Sequence, residues 1–196
     1  MLKPAKLAFE KVDKLFASFG KGGWIKIILR TIKHKIFNDT WQTYDFPWVV
    51  LDRGDSVAVL IHDSFLDDIV LVEQFRPAME ESVLEIVAGA IGVGEDPEAC
   101  ARREVKEEVD LEVEELRLIS VIYPSPGATN EKVYIYQATV NALGPDGLEG
   151  GLKSEGEHIL KHVVSVNEAQ AMVDLGIIKD AKTIIAIQNA VDEDEY

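Results

Sequence analysis

The chain has 196 residues, 47% of them hydrophobic and 8% aromatic, enough for one well-buried core with an appendage and too apolar for disorder. Its formal charge of -15 is unevenly spread: residues 1–36 carry nine Lys/Arg against Glu10 and Asp13, which leaves the remainder strongly acidic. Such a body repels a nucleic-acid backbone, and the single cysteine, Cys100, excludes an intrachain disulfide and a cysteine zinc site.

Taken in order, the first 20 residues are basic and amphipathic, and Leu7, Val12, Leu15 and Phe16 can share a helix face. A helical appendage over residues 1–23 is therefore predicted, packed on its own body or on a partner subunit rather than on a membrane. No apolar run reaches the ~20 residues a membrane span requires, and no long apolar signal stretch is present. With one cysteine, a reducing cytoplasm is the expected compartment. Gly20 to Gly23 break the pattern, and residues 24–52 hold strand signals at Trp24–Ile32 and Trp48–Leu51, a candidate dimer element.

The main domain is predicted over residues 53–196. Ser56–Ile61 and Ile69–Phe75 read as strands around a polar turn, and Val83–Val87 as a third ending at Ala88-Gly89. Asp96-Pro97 is a helix start, the aspartate capping and the proline preset for the first turn, and Glu98–Val109 are strong helix formers. Strand signals return at Leu116–Tyr123, Val133–Val140 and, after a Gly/Pro-rich loop from Gly144 to Gly151, Ile159–Val164. Asn167–Leu175, stopped by Gly176, and Asp180–Val191 close the chain as helices. Strands interrupted by one charged helix and followed by two more make a mixed α/β or α+β domain, its sheet covered by helices.

The charged helix concentrates the chemistry. Glu104 and Glu108 lie four apart and share a face, with Glu107 three from Glu104. Like charges at that spacing are ordinarily a solvated face. Their grouping above a Gly-rich turn is better explained by a hard cation with oxygen ligands, Mg²⁺ or Mn²⁺. Arg103, four before Glu107, can neutralise and orient a carboxylate.

Residues 89–111 space Gly89, Glu95, Arg103-Glu104, Glu107-Glu108 and Leu111 in a pattern that resembles the Nudix box, G-x5-E-x7-R-E-U-x-E-E-x-G-U with U aliphatic. The departure is Asp110, where the pattern has the glycine that ends the helix left-handed; aspartate tolerates that conformation at modest cost. The resemblance implies an α/β/α sandwich and metal-dependent hydrolysis of a diphosphate joined to a second group. By it, Glu104 and Glu108 are the first metal ligands, with Glu107 next and the Ala88 carbonyl as a backbone ligand, while Glu95 fixes the loop and Glu85 supports it from behind. The loop Ser154-Glu155-Gly156-Glu157-His158 matches the place of a catalytic or metal-binding glutamate. Either glutamate suits either task; Glu155 is taken as the base and Glu157 as the additional ligand, and both join Arg103 in the catalytic group.

Other segments bear on the substrate. Val72-Glu73-Gln74-Phe75-Arg76, Leu84-Glu85-Ile86-Val87-Ala88-Gly89 and Ser125-Pro126-Gly127-Ala128-Thr129-Asn130-Glu131 resemble the ADP-ribose pyrophosphatase branch. From matching positions, Arg76 is expected to hold a phosphate or the terminal ribose, because guanidinium binds oxyanions bidentately. Arg53 is expected to do similar work across a dimer interface, Glu131 to accept hydrogen bonds from ribose hydroxyls, and Trp24 to stack on adenine. The implied reaction is ADP-ribose plus water giving AMP and ribose 5-phosphate, in a homodimer with a nucleoside diphosphate as the small-molecule partner. The alternatives are a nucleotide sugar such as GDP-mannose or UDP-glucose, and a Nudix module that binds a nucleotide without turning it over.

Overall fold

The computed structural model describes residues 8–19, 24–63, 65–152 and 157–194. Two compact units are present: Met1–Gly54 with Ser125–Glu131, and Asp55–Pro124 with Lys132–Tyr196. Ser125–Glu131 belongs to the first unit, where the Leu51 N–H donates to the Ala128 carbonyl at 2.9 Å.

In the first unit β1 (Phe9–Phe19), β2 (Ile25–Lys35), β3 (Trp41–Thr43) and β4 (Trp48–Asp52) form an antiparallel sheet, with β2 paired to the other three. This corrects the helix expected over residues 1–23: its described part is a strand. Cross-strand pairing decides the matter. The register sets Asp13 opposite Arg30 and Glu10 opposite Lys33, and Arg30 donates twice to Asp13, Nε at 2.7 Å and Nη2 at 3.0 Å. Opposite charges directly across an antiparallel ladder stabilise it, whereas a short helix in water has no such partner and depends on packing.

The second unit carries β5 (Ser56–Asp63), β6 (Asp68–Arg76), β7 (Glu81–Glu85), β8 (Val87–Ala90), α1 (Pro97–Val109), β9 (Val113–Ile122), β10 (Val133–Val140), β11 (Glu149–Gly150), β12 (Ile159–Ser165), α2 (Val166–Asp174) and α3 (Ala181–Asp194). Its sheet runs β11-β12-β6-β5-β10-β9 and is mixed, because β5 and β10 are parallel while the other pairs are antiparallel. β5 and β6 share only Ile61–Asp63 against Asp68–Val70 before they separate. β7 then pairs with β6, and β8 with β5. The single strand expected at Val83–Val87 is therefore two strands meeting at Ile86, since each takes up a different open edge.

β5 is buried on both faces, as its near-continuous apolar run implies. Val57, Val59 and Ile61 pack with Val70, Val72 and the α1 residues Cys100, Ala101 and Val105. Ala58 and Leu60 pack on the other side with Ile69, Leu71 and the Ala169, Ala186 and Ile187 of α2 and α3. Helices thus cover both faces of the sheet, and the separation of β5 from β6 sets the end of β8 beside α1.

Candidate metal and diphosphate site

The site is built where β8 hands over to α1. Asp96 caps the helix, its carboxylate accepting from Glu98 N–H at 3.0 Å and Ala99 N–H at 3.3 Å, with Pro97 following. At the far end Asp110 is left-handed, φ 54 and ψ 38, its N–H donating to the Lys106 carbonyl. Aspartate therefore does the glycine's work, and its side chain pairs with Lys106 Nζ at 2.6 Å, which also reaches Glu112 at 3.0 Å.

Between these caps Arg103 organises the acidic face. Its Nε and Nη2 donate to Glu95 at 2.9 and 3.1 Å, and its Nη1 lies 2.7 Å from Glu104 Oε1 and 2.8 Å from Glu107 Oε2. Glu95 also accepts from Gly92 N–H at 2.7 Å, which closes the loop before the helix. The Arg103 guanidinium holds the Glu95 carboxyl down at about 2.

Glu104 and Glu108 are both pushed the other way, upward. Burial pushes Glu104 up to about 7 against the opposing pull of Arg103. Burial, then repulsion from Glu104 and Glu157, pushes Glu108 up to about 9, although the Ala88 main chain and Arg76 oppose the rise. Glu108 is only 3% exposed, and its Oε2 is buried without a hydrogen-bond partner. An orphaned carboxylate oxygen beside a second buried carboxylate is costly unless a cation completes it. Gly89 leaves room for the Glu104 carboxylate, since a Cβ at that position would come 1.9 Å from the Glu104 carboxyl carbon. These residues fit a hard divalent cation. Among the described residues no three His, Cys, Asp or Glu side chains converge as a ready ligand set. A cation held here therefore also needs oxygens from water, main chain or substrate, the usual habit of Mg²⁺.

The Gly-rich loop returns onto this helix end. Gly151 N–H donates to the Glu107 carbonyl at 3.3 Å, and a Cβ on Gly150 would stand 1.8 Å from the Glu108 carbonyl oxygen. Glu157 adjoins Gly151 and accepts from Leu152 N–H at 3.2 Å, within electrostatic reach of Glu104 and Glu108. Glu155, the expected base, lies outside the described residues. A cleft of about 550 Å³ opens beside the loop, lined by Gln74, Phe75, Ser82, Gly150, Gly151 and His158 among others.

Arg76 leaves β6 with its Nε and Nη2 bound to Glu85 at 2.6 and 3.0 Å, and it feels the charge of Glu108. Lys182 Nζ also reaches Glu85, at 2.5 Å, and against the upward push of burial these two cations hold the Glu85 carboxyl below its ordinary value. That lysine carried no signal in the sequence, because its partner is 97 residues away. In the first unit Arg53 Nε stands 3.8 Å from Glu131 Oε2, and Trp24 is 45% exposed. Cys100 is buried against Ala90 and Arg103, a packing residue.

The profile of the NUDIX domain matches residues 52–185. The chain belongs to the NUDIX family. Among its Nudix relatives, the ADP-ribose pyrophosphatase of Escherichia coli (strain K12) is 33% identical over 195 residues, covering 91% of this chain and 92% of the relative. A GDP-mannose pyrophosphatase of Citrobacter koseri is 30% identical over 166 residues, covering 82% and 85%. That of Salmonella typhimurium is 29% identical over 165 residues, covering 81% and 85%. Within this Nudix chain the box is the β8–loop–α1 segment, and the fold buries two of its carboxylates, Glu104 and Glu108. No helix among the described residues is long and apolar enough to cross a membrane.

Proposed function

We propose that the protein is a metal-dependent pyrophosphohydrolase that cleaves ADP-ribose to AMP and ribose 5-phosphate. The observation that carries this reading is the buried Glu104–Glu108 pair on α1, one oxygen of it orphaned, facing the end of β8 with Arg76 in electrostatic range. Glu104 and Glu108 would hold Mg²⁺ or Mn²⁺, with Glu107, Glu157 and the Ala88 carbonyl as candidate further donors and water or substrate oxygens completing the shell. When bound, the metal offsets the phosphate charge and lowers the pKa of a coordinated water.

The chain's own residues do the rest. Arg103 ties Glu104 and Glu107 to the Glu95 loop, so the carboxylates keep their place without rearrangement. Among the described residues Arg76 Nη1 takes no protein partner, and it offers its hydrogens to a phosphate oxygen. Glu155 takes the proton of the attacking water; a P–O bond forms to that water's oxygen as the bridging P–O bond breaks, and the leaving phosphate takes up the charge. The cleft beside Gly150 and Gly151 receives part of the substrate beyond the diphosphate. Trp24, Arg53 and Glu131 are assigned to adenine, phosphate and ribose.

Two relatives named for GDP-mannose favour a second reading, in which a nucleotide sugar is the substrate. A panel of ADP-ribose, GDP-mannose and UDP-glucose with Mg²⁺, products followed by chromatography, separates the two. The reading expects ADP-ribose to give AMP fastest and the Glu104→Gln/Glu108→Gln double variant to be inactive. Turnover that survives the double variant sinks the metal site, and faster turnover of GDP-mannose sinks the substrate. A homodimer is also proposed, on Phe9, Val12, Leu15, Phe16 and Phe19, all more than half exposed along β1. The cytoplasm is the proposed compartment, and finding the protein in a secreted fraction would overturn it.

A further inference from the structure

The start of α3 is fastened to the end of β7 more firmly than packing requires. Thr183, fully buried, accepts from Ile86 N–H at 2.9 Å and donates to Asp180 at 2.6 Å. One residue earlier on each element, Lys182 Nζ lies 2.5 Å from Glu85 Oε2 and 2.9 Å from Asp180 Oδ1. Both side chains are withdrawn from solvent, Lys182 at 17% exposure and Glu85 at 4%. Glu85 thus accepts three N–H groups on two oxygens: Arg76 Nε on Oε1, and Arg76 Nη2 with Lys182 on Oε2.

This arrangement has an electrostatic and a geometric consequence. With Arg76 alone, the full charge of Glu85 would bear on the guanidinium, which would have less attraction left for a phosphate oxygen. A third donor from a helix held in register shares that charge. It also fixes the plane of the carboxylate, and so the plane of the guanidinium bound to it. We infer that Lys182 is a positioning residue for substrate binding: by sharing the Glu85 carboxylate it fixes Arg76 beside the metal-site carboxylates and keeps its charge available to the diphosphate. The inference rests on the reading of Arg76 as a substrate contact. Lys182 touches no reacting atom; it acts through Glu85 and Arg76.

The test compares Lys182→Met, Arg76→Ala, the double variant and Lys182→Arg in the full chain, with ADP-ribose and Mg²⁺. Lys182→Met is expected to raise KM about fivefold with kcat within about twofold, the signature of lost binding that is uniform along the reaction. The double variant is expected to match Arg76→Ala, because a residue acting through Arg76 has nothing to act on once it is gone. Lys182→Arg, which keeps a cation at the Glu85 oxygen, is expected to recover most of the loss. An unchanged KM in Lys182→Met, while Arg76→Ala raises it, overturns the inference and leaves Arg76 as a substrate contact. Losses that multiply in the double variant overturn it as well. An unchanged KM in Arg76→Ala removes the reading of Arg76, and the inference with it.

Discussion

Replacing the buried Glu108, a proposed metal ligand, by glutamine is expected to stabilise the metal-free protein while destroying its response to metal. Unfolded, the Glu108 carboxyl titrates near its ordinary 4.5; folded without a cation it titrates at about 9. Between those values the folded state retains a proton that the unfolded state has released, so this group's contribution to stability falls as pH rises from about 4.5 to 9. Each pH unit in that window is worth about 1.4 kcal/mol, which puts the full effect at about 5 kcal/mol near pH 8. Burial is the first cause and repulsion from Glu104 and Glu157 the next, and glutamine, being uncharged, relieves both. For a chain of this size that corresponds to a Tm rise on the order of 10 °C. Thermal unfolding in EDTA from pH 5 to 9 is the assay: Glu108→Gln and wild type should coincide near pH 5 and diverge with the variant higher toward pH 8. Added Mg²⁺ should raise the wild type, most at high pH where fewer retained protons compete for the carboxylates, and leave the variant unmoved. A variant no more stable than wild type near pH 8 in EDTA, or a gap that does not change with pH, would refute the reasoning.

Gly89→Ala sets a methyl group into the Glu104 carboxylate, whose flexible end can rotate away. The protein should fold with little change in Tm and lose metal affinity on the order of tenfold to a hundredfold, measured as the Mg²⁺ concentration at half-maximal activity; unchanged metal dependence would show that Glu104 is not a ligand. Deleting residues 1–19 removes β1 and its exposed apolar side chains, and light scattering should then find a mass halved relative to the full chain. An unchanged mass would rule out β1 as the dimer contact.

Much of the site was legible because its signals are local. Asp96-Pro97 starts α1 and Asp110 ends it within the same stretch that spaces Glu104, Glu107 and Glu108, so helix periodicity alone sets those carboxylates on one face. The apolar run Ser56–Ile61 likewise announced a strand, and the structure buries it on both faces. What failed depended on partners distant in the chain. Nothing within residues 9–19 says that β2 offers Arg30 and Lys33 to Asp13 and Glu10, and without that ladder the segment looks like an amphipathic helix. Nothing around Val83–Val87 says that β5 and β6 separate, which is what divides that segment at Ile86.

The spacing of residues 89–111 carries the resemblance to the Nudix box, and helix periodicity alone sets Glu104, Glu107 and Glu108 near enough to cooperate. Their state depends on the folded surroundings. Burial against β8 raises Glu104 and Glu108, Arg103 withdraws Glu107 onto its guanidinium, and the return of the Gly-rich loop brings Glu157 within reach. The Glu85–Lys182 contact likewise exists only once α3 has docked on β7. Desolvation and long-range ion pairing depend on what surrounds a group, and those surroundings exist only in the folded chain.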